Sequence, residues 1–190
     1  MEELVGGFHV AAVVMVVSGA TKIASPDAFD VLLRSLVGGS ARRVRSGVGR
    51  FVGALEVLLG VVAVVLGTTW AAAVVAVAYV CFAAVVVVAR RRGVESCGCF
   101  GEAAAPPSTV HVVIDLAGAG FAAMAAVDPP GSLGAVLTDQ PWGGVPYLFA
   151  VGLASWFAVL VATRGAEVAA LVTAADLRRA ESSNDRGQSH

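Results

Sequence analysis

The stretch of sequence that decides the fold runs from Phe51 to Ala89 and reads FVGALEVLLGVVAVVLGTTWAAAVVAVAYVCFAAVVVVA. Its one charged residue is Glu56. Because a helix needs roughly 20 apolar residues to cross the hydrocarbon core of a bilayer, this stretch is too long for one span and long enough for two. The interruption Gly67-Thr68-Thr69-Trp70 divides it, so the sequence predicts two membrane-spanning helices joined by a tight hairpin.

Three further apolar stretches lie on either side of this hairpin. The sequence therefore predicts an all-α polytopic membrane bundle with about five spans, at 4–22, 49–67, 70–89, 109–127 and 145–163. These spans form one transmembrane domain over residues 1–164. The remaining residues, 165–190, are expected to form a cytoplasmic tail that is first helical and then polar and disordered.

The composition excludes most other classes of protein. Of the 190 residues, 57% are hydrophobic and 14% are charged, and the mean hydropathy is +0.81; a soluble domain has about 25% charged residues. The three cysteines are too few for a disulfide-stapled secreted domain, and a net charge of -1 argues against nucleic acid as a partner. A signal peptide has basic residues before its apolar core, whereas Glu2 and Glu3 precede the first apolar segment here. This segment is therefore expected to remain as a helix.

The positions of the cations predict the orientation. All 13 lysines and arginines fall at one side of the predicted topology, and short loops rich in these residues stay in the cytoplasm. We therefore expect the N-terminus outside and the C-terminus inside. Trp70, Trp142 and Tyr147 would then lie together at the outer interface, where amphipathic rings are favoured, and His9 would lie near the same interface.

The first loop is predicted to contain a short helix that begins at Pro26, a residue tolerated in the first turn. Apolar residues recur at helical spacing from Phe29 to Val37, while Asp30 and Arg34 share the opposite face. This pattern is typical of a helix that lies on the membrane surface; a plain turn in the aqueous loop is the alternative.

The string Ser96-Cys97-Gly98-Cys99-Phe100-Gly101 is the most distinctive motif. Two cysteines one residue apart can form a small, strained disulfide ring, and strained disulfides exchange readily with thiols. The nearby arginines 90–92 favour the reactive thiolate. Structural packing of a tight turn is the alternative, and a metal site is disfavoured because it needs about four ligands. Cys81, in the middle of the third span, is expected to be a core residue, or else a buried relay thiol.

Two acids lie inside predicted spans, where a carboxyl group is costly unless it is neutral, paired or hydrated. Glu56 lies on a face of small residues (Gly49, Gly53 and Gly60) that lets another helix approach, and Lys22 and Arg50 are available as cationic partners. Asp115 lies one turn after His111 on the same helix face. We therefore hypothesise that Lys22, Glu56, Cys97, Cys99, His111 and Asp115 surround one polar cavity. Hydrogen bonding between helices is the alternative role for the two acids.

The chain resembles the methylamine utilisation protein MauE family, within the wider DoxX-like group of redox-associated membrane proteins. The resemblance covers roughly residues 5–127. It rests on Ser18-Gly19-Ala20-Thr21-Lys22, on Pro26-Asp27-Ala28-Phe29, on Glu56 followed by Gly60, and on Cys97-Gly98-Cys99-Phe100-Gly101. Where members often carry an acid directly before the first cysteine, this chain has Ser96.

The resemblance implies a four-helix core in the cytoplasmic membrane that works beside a thioredoxin-like partner. In the name-giving system, such a protein is needed for maturation of methylamine dehydrogenase. Three functions follow as expectations: a thiol–disulfide redox component, a non-catalytic membrane scaffold for an oxidoreductase, or a small proton-coupled transporter. The sequence leaves open whether the chain is an enzyme and whether a quinone is its cofactor.

Overall fold

The computed structural model of the chain describes residues 2–37, 47–94 and 107–164. All of the regular structure in these residues is helical, which confirms the all-α prediction. The elements are α1 (Glu2–Ala24), α2 (Pro26–Val37), α3 (Val48–Leu66), α4 (Thr69–Arg91), α5 (Thr109–Val127), α6 (Leu133–Asp139), a 3₁₀ turn (Pro141–Gly144) and α7 (145–164).

Within this described part of the chain, five helices are long and apolar enough to cross a bilayer, as predicted. They are α1, α3, α4, α5 and the helix that α7 forms with the preceding turn. The hairpin between α3 and α4 is also confirmed. Gly67 ends α3 in the left-handed conformation, with φ at 55°, and its N–H donates to the Ala63 carbonyl. The Thr68 side chain then accepts from the Ala71 N–H and caps α4.

Helices α1, α3, α4 and α5 form a four-helix core. α1 packs along α3, α4 packs along α5, and α1 also contacts α5. Small side chains alternate with a few large ones in this core, whose fully buried members include Phe8, Met15 and Val75. The helices alternate in direction, so every Lys and Arg among the described residues lies at one end of the bundle, here called the arginine-rich end. Which end faces the cytoplasm stays a prediction.

α7 is the additional helix and lies beside α1 and α5. The Tyr147 hydroxyl of α7 lies 2.6 Å from His9 Nδ1 of α1, and Val151 and Ser155 are buried on the same side of α7. His9 is only 2% exposed, so other side chains of the bundle cover it; its expected position near the outer interface stays a prediction. Tyr147 is half-buried beside the His9 ring, whereas Trp70 and Trp142 are 82% and 88% exposed.

The short helix predicted in the first loop is confirmed as α2, but Asp30 does not lie on an exposed face. It is 1% exposed, and its two carboxylate oxygens accept from the N–H groups of Gly47 and Gly49, at 2.9 and 2.8 Å. Asp30 thus satisfies donor groups at the start of α3 that the helix cannot pair internally. Phe29 and Leu32 pack on Ala89, so α2 is bound to both neighbouring helices.

The far end of α2 is held by an arginine. The Arg92 guanidinium donates to the carbonyls of Ser35 and Leu36, in the last turn of α2. A cation at this position is favourable because the unpaired carbonyls give a helix C-terminus a partial negative charge. α2 therefore joins the beginning of α3 to the end of α4. The tail, 165–190, lies outside the described residues, as do Cys97 and Cys99.

Candidate functional site

The candidate site is built on a close approach of α1 and α3. A Cβ atom added at Gly53 would lie 2.5 Å from the Gly19 carbonyl oxygen, and one added at Gly19 would lie 2.5 Å from the Gly53 carbonyl oxygen. At Gly60, an added Cβ would lie 2.8 Å from the Ala12 carbonyl oxygen. Only glycine permits this backbone contact. At Gly53 and Gly60 the predicted small-residue face of α3 is therefore covered by α1, whereas Gly49 lies against α2.

The same glycines make room for two charged side chains. An added Cβ at Gly53 would lie 3.0 Å from the Cβ of Lys22, and one at Gly19 would lie 2.9 Å from the Cβ of Glu56. Lys22 Nζ and Glu56 Oε2 are 2.8 Å apart and form a salt bridge, with side-chain exposures of 3% and 5%. Of the two cations available from the sequence, the fold selects Lys22. Arg50 is exposed.

Lys22 has three further neighbours around its ammonium group. It donates to the Ser18 hydroxyl at 2.7 Å, one helical turn earlier on α1. Its Nζ also lies 5.4 Å from the ring centre of Phe29 and 5.5 Å from that of Phe82. A cation at this distance from an aromatic face is attracted by the ring quadrupole, more strongly when water is excluded. The ammonium is thus enclosed by α1, α2, α3 and α4.

The carboxylate of Glu56 is less completely bonded than the ammonium. Its second oxygen, Oε1, is buried and has no hydrogen-bond partner among the residues that the structure describes. A buried ion pair repays the cost of desolvation only when its remaining polar atoms are also satisfied. Burying the pair therefore costs free energy of folding. This cost favours a role for the pair beyond holding two helices together.

A cavity of about 150 Å³ lies next to this pair. Its polar lining comes from three helices and includes Lys22, Cys81, His111 and Asp115. His111 is 4% exposed, and its Nδ1 lies 2.9 Å from the Ser108 hydroxyl. Asp115 follows one turn later on α5 and is half-buried. Most of the lining is apolar, so any water in the cavity would have to bond to these few polar side chains.

The structure thus brings four of the six hypothesised site residues to one place. Lys22, His111 and Asp115 line the cavity, and Glu56 is bonded to Lys22. Cys97 and Cys99 lie in the segment 95–106, outside the described residues. Elsewhere in the chain, in 2–37, 47–94 and 107–164, no three His, Cys, Asp or Glu side chains are arranged to hold a metal ion.

Several residues of the site were not found from the sequence. Ser18 could have been found, because it precedes Lys22 by one turn and has a hydroxyl that faces the same way. Phe29 and Phe82 carried no such signal, because an aromatic residue in an apolar helix is ordinarily a packing residue. Cys81 was expected in the core, but its side chain is exposed and borders the cavity.

A comparison with protein families supports the resemblance seen in the sequence. The family model described as methylamine utilisation protein MauE matches residues 4–128, which is more than half of the chain. The match includes α1 to α5 and ends before α6 and α7. No curated protein and no solved structure matches the chain.

Proposed function

Since the chain belongs to the methylamine utilisation protein MauE family, we propose that it is a thiol–disulfide redox component of the cell membrane that works with a thioredoxin-like protein. Cys97 and Cys99 are the redox pair. The observation that carries the proposal is the buried Lys22–Glu56 pair, which borders a cavity that His111 and Asp115 also line, at the arginine-rich end of the bundle.

The chain connects this end of the bundle to the cysteines. α4 ends at Arg91 and α5 begins at Thr109, both at the arginine-rich end, and the Cys-Gly-Cys segment lies between them. Val94 packs against the cluster formed by Phe29, Leu32 and Ala89. Cys97 follows Val94 by three positions, and a chain of that length spans at most about 11 Å. This short link supports our proposal that the motif works at the end of the bundle where Lys22 and Glu56 lie.

The proposed chemistry is an exchange of one disulfide for another. A thiolate of the partner attacks the Cys97–Cys99 disulfide, a mixed disulfide forms, and the partner's second thiol then releases it. In total, two electrons and two protons pass from the partner to Cys97 and Cys99. Glu56, Asp115 and His111 are titratable groups close to Lys22, and we assign to them the transfer of these protons. By analogy with the family, the pathway is maturation of methylamine dehydrogenase.

The test is to trap the mixed disulfide. The full chain is expressed in cells with a thioredoxin whose second active-site cysteine is changed to serine, and thiols are blocked before electrophoresis. We expect a disulfide-linked complex with the wild type. The double variant Cys97→Ser/Cys99→Ser should lose it. Cys81→Ser is the matched control, since it removes the third thiol and should leave the complex unchanged.

Two other outcomes would contradict the proposal. A non-catalytic scaffold would retain a thioredoxin-like partner in the double variant, without any disulfide between them. A proton-coupled transporter would lose its function when Glu56 or Asp115 is changed, while Cys97→Ser/Cys99→Ser would have no effect on it. An unchanged complex in the double cysteine variant would overturn the proposal directly.

A further inference from the structure

The arginine-rich end of the bundle has a strong excess of exposed positive charge. Among the residues that the structure describes, the exposed cations at this end are Arg34, Arg50, Arg90, Arg91, Arg92 and Arg164. In the same part of the chain, Asp27 is the exposed acid at this end, whereas Asp30 and Glu56 are buried and bonded and Asp115 is half-buried. Such a surface attracts anions.

Two of these cations come together where α2 meets the start of α3. Asp30 of α2 accepts from the Gly49 N–H at 2.8 Å, and Arg50 is the next residue of α3. Arg34 follows Asp30 by four positions, so it lies one turn further along the same face of α2. The contact through Asp30 therefore places Arg34 and Arg50 on the same side of the bundle.

The end of α4 adds further positive charge beside α2. The Arg92 guanidinium donates to the Ser35 carbonyl, and Ser35 directly follows Arg34. Arg90 and Arg91 precede Arg92 in the last turn of α4 and are exposed. A short helix of 12 residues thus holds the exposed arginines of three helices in one region.

This region also exposes apolar side chains at the edge of the hydrocarbon. α3 has 19 residues, so it is about 28 Å long, close to the roughly 30 Å of a hydrocarbon core. Arg50, in its first turn, therefore lies at the boundary with the lipid headgroups. Phe51, the next residue, is 65% exposed, and Val31, on the turn of α2 before Arg34, is 57% exposed.

We propose that Arg34, Arg50, Val31 and Phe51 bind an anionic phospholipid. The two guanidinium groups bind its phosphate, for which their planar donors are well suited, and its acyl chains cover Val31 and Phe51. Asp27 lies two turns before Arg34 and leaves this end of α2 positive. The binding goes beyond the proposed function and does not depend on it.

Charge and exposed apolar surface together select this class of ligand. A zwitterionic phospholipid also has a phosphate, but its ammonium group is repelled by the surrounding arginines, which include Arg90 and Arg91. An acidic protein surface would satisfy the arginines, yet it has no acyl chains for Val31 and Phe51. An anionic phospholipid satisfies both the charged and the apolar side chains.

The test is native mass spectrometry of the full chain in a non-ionic detergent, titrated with equal amounts of phosphatidylglycerol and phosphatidylcholine. We expect the wild type to bind phosphatidylglycerol more tightly, by about tenfold or more. Arg34→Gln and Arg50→Gln should each weaken this binding by about fivefold, the factor that corresponds to one cation near an anionic lipid surface. The double variant should lose most of the preference.

Two matched variants separate the charge and the place of these arginines from general effects. Arg34→Lys/Arg50→Lys keeps both charges and should keep the preference for the anionic lipid. Arg164→Gln removes an exposed cation from α7 at the same end and should change the affinity by less than about twofold. Circular dichroism checks that each variant is folded, and the single variants serve if the double glutamine variant is not.

Four results would overturn the inference. Equal binding of the two lipids by the wild type would exclude a preference for the anionic headgroup. A preference that the double glutamine variant retains would place the lipid elsewhere. Competition by millimolar glycerol 1-phosphate would show that the arginines bind a free phosphate. Slower mixed-disulfide formation with unchanged lipid binding would assign them to an acidic protein partner. Cys97→Ser/Cys99→Ser should bind phosphatidylglycerol normally, so failure here and failure of the redox proposal are distinguishable.

Discussion

Small residues do opposite things on the two sides of α1. On the side facing α3, Gly19, Gly53 and Gly60 let two backbones touch, and a charged pair is buried in the contact. On the side facing α7, glycines and alanines of three helices leave a cavity of about 470 Å³. Half of the first span is buried inside the bundle, against 17% of the last span. Small side chains therefore permit two helices to pack closely but do not by themselves bring the helices together. α3 approaches α1 closely, and α7 does not.

The largest effect is expected from breaking the buried charge pair on the tight side. Lys22→Met leaves Glu56 as an uncompensated buried carboxylate, so the free energy of unfolding in detergent should fall by about 3–5 kcal/mol. The double variant Lys22→Met/Glu56→Leu should recover most of this loss, because no charge is then left buried. Arg50→Met, which removes an exposed cation, is the control. A single variant as stable as this control would show that the pair is hydrated in the membrane.

Closing the glycine contact should have the next largest effect. Gly53→Ala places a methyl group against the Gly19 carbonyl, so the free energy of unfolding should fall by up to about 3 kcal/mol. Gly120→Ala is the matched control, since an added Cβ there meets nothing within 4 Å; it should be neutral or gain up to about 1 kcal/mol from helix propensity. Both values come from the same unfolding measurement. Equal values would mean that α1 and α3 are further apart in the membrane.

Removing the side chain that caps α3 tests how firmly α2 is bound to α3. Asp30→Ala removes the acceptor for two N–H groups and should lower the free energy of unfolding by about 1–2 kcal/mol. Amide hydrogen exchange at Gly47 and Gly49 should become faster. Asp27→Ala, which removes an exposed acid from the first turn of the same helix, should cost less than about 1 kcal/mol and leave exchange at Gly47 and Gly49 unchanged. Unchanged exchange in Asp30→Ala would contradict the cap.

The smallest effect is expected on the cavity side. Ala154→Leu adds side-chain volume where the cavity already provides space, so the free energy of unfolding should change by less than about 1 kcal/mol. Ala12→Leu adds the same volume at a site that is 0% exposed, close to Gly60, and should cost about 1–3 kcal/mol. A large loss from Ala154→Leu would mean that α7 packs against α1 and α5 more tightly than described.

The five spans and the inward direction of Glu56 followed from the sequence alone. A span needs a long apolar helix, and a carboxyl group is unfavourable in contact with lipid chains. A carboxyl group in a span must find a partner, and the glycines on its face show where another helix can approach. The choice of Lys22 over Arg50 could not be predicted. It depends on the register of α1 against α3, and both cations lie near the same end of the bundle.

Asp30 shows a different limit of sequence reasoning. Its spacing from Arg34 predicted a place on the face of α2 opposite the apolar residues of that helix, but Asp30 is buried rather than exposed to solvent. It is covered because the start of α3 folds back onto it, which is a contact between residues 17 and 19 positions apart. Helical periodicity describes one helix at a time and carries no information about such a contact.

The ring of Phe29 makes the buried charges depend on a helix that lies outside the five spans. It covers the Lys22 ammonium, while Asp30 and the last turn of α2 are bonded to α3 and to Arg92. Pulling α2 away would let solvent reach the Lys22–Glu56 pair, and the attraction between opposite charges weakens several-fold as the surrounding dielectric constant rises. The position of α2 thereby sets the strength of an electrostatic interaction between two other helices.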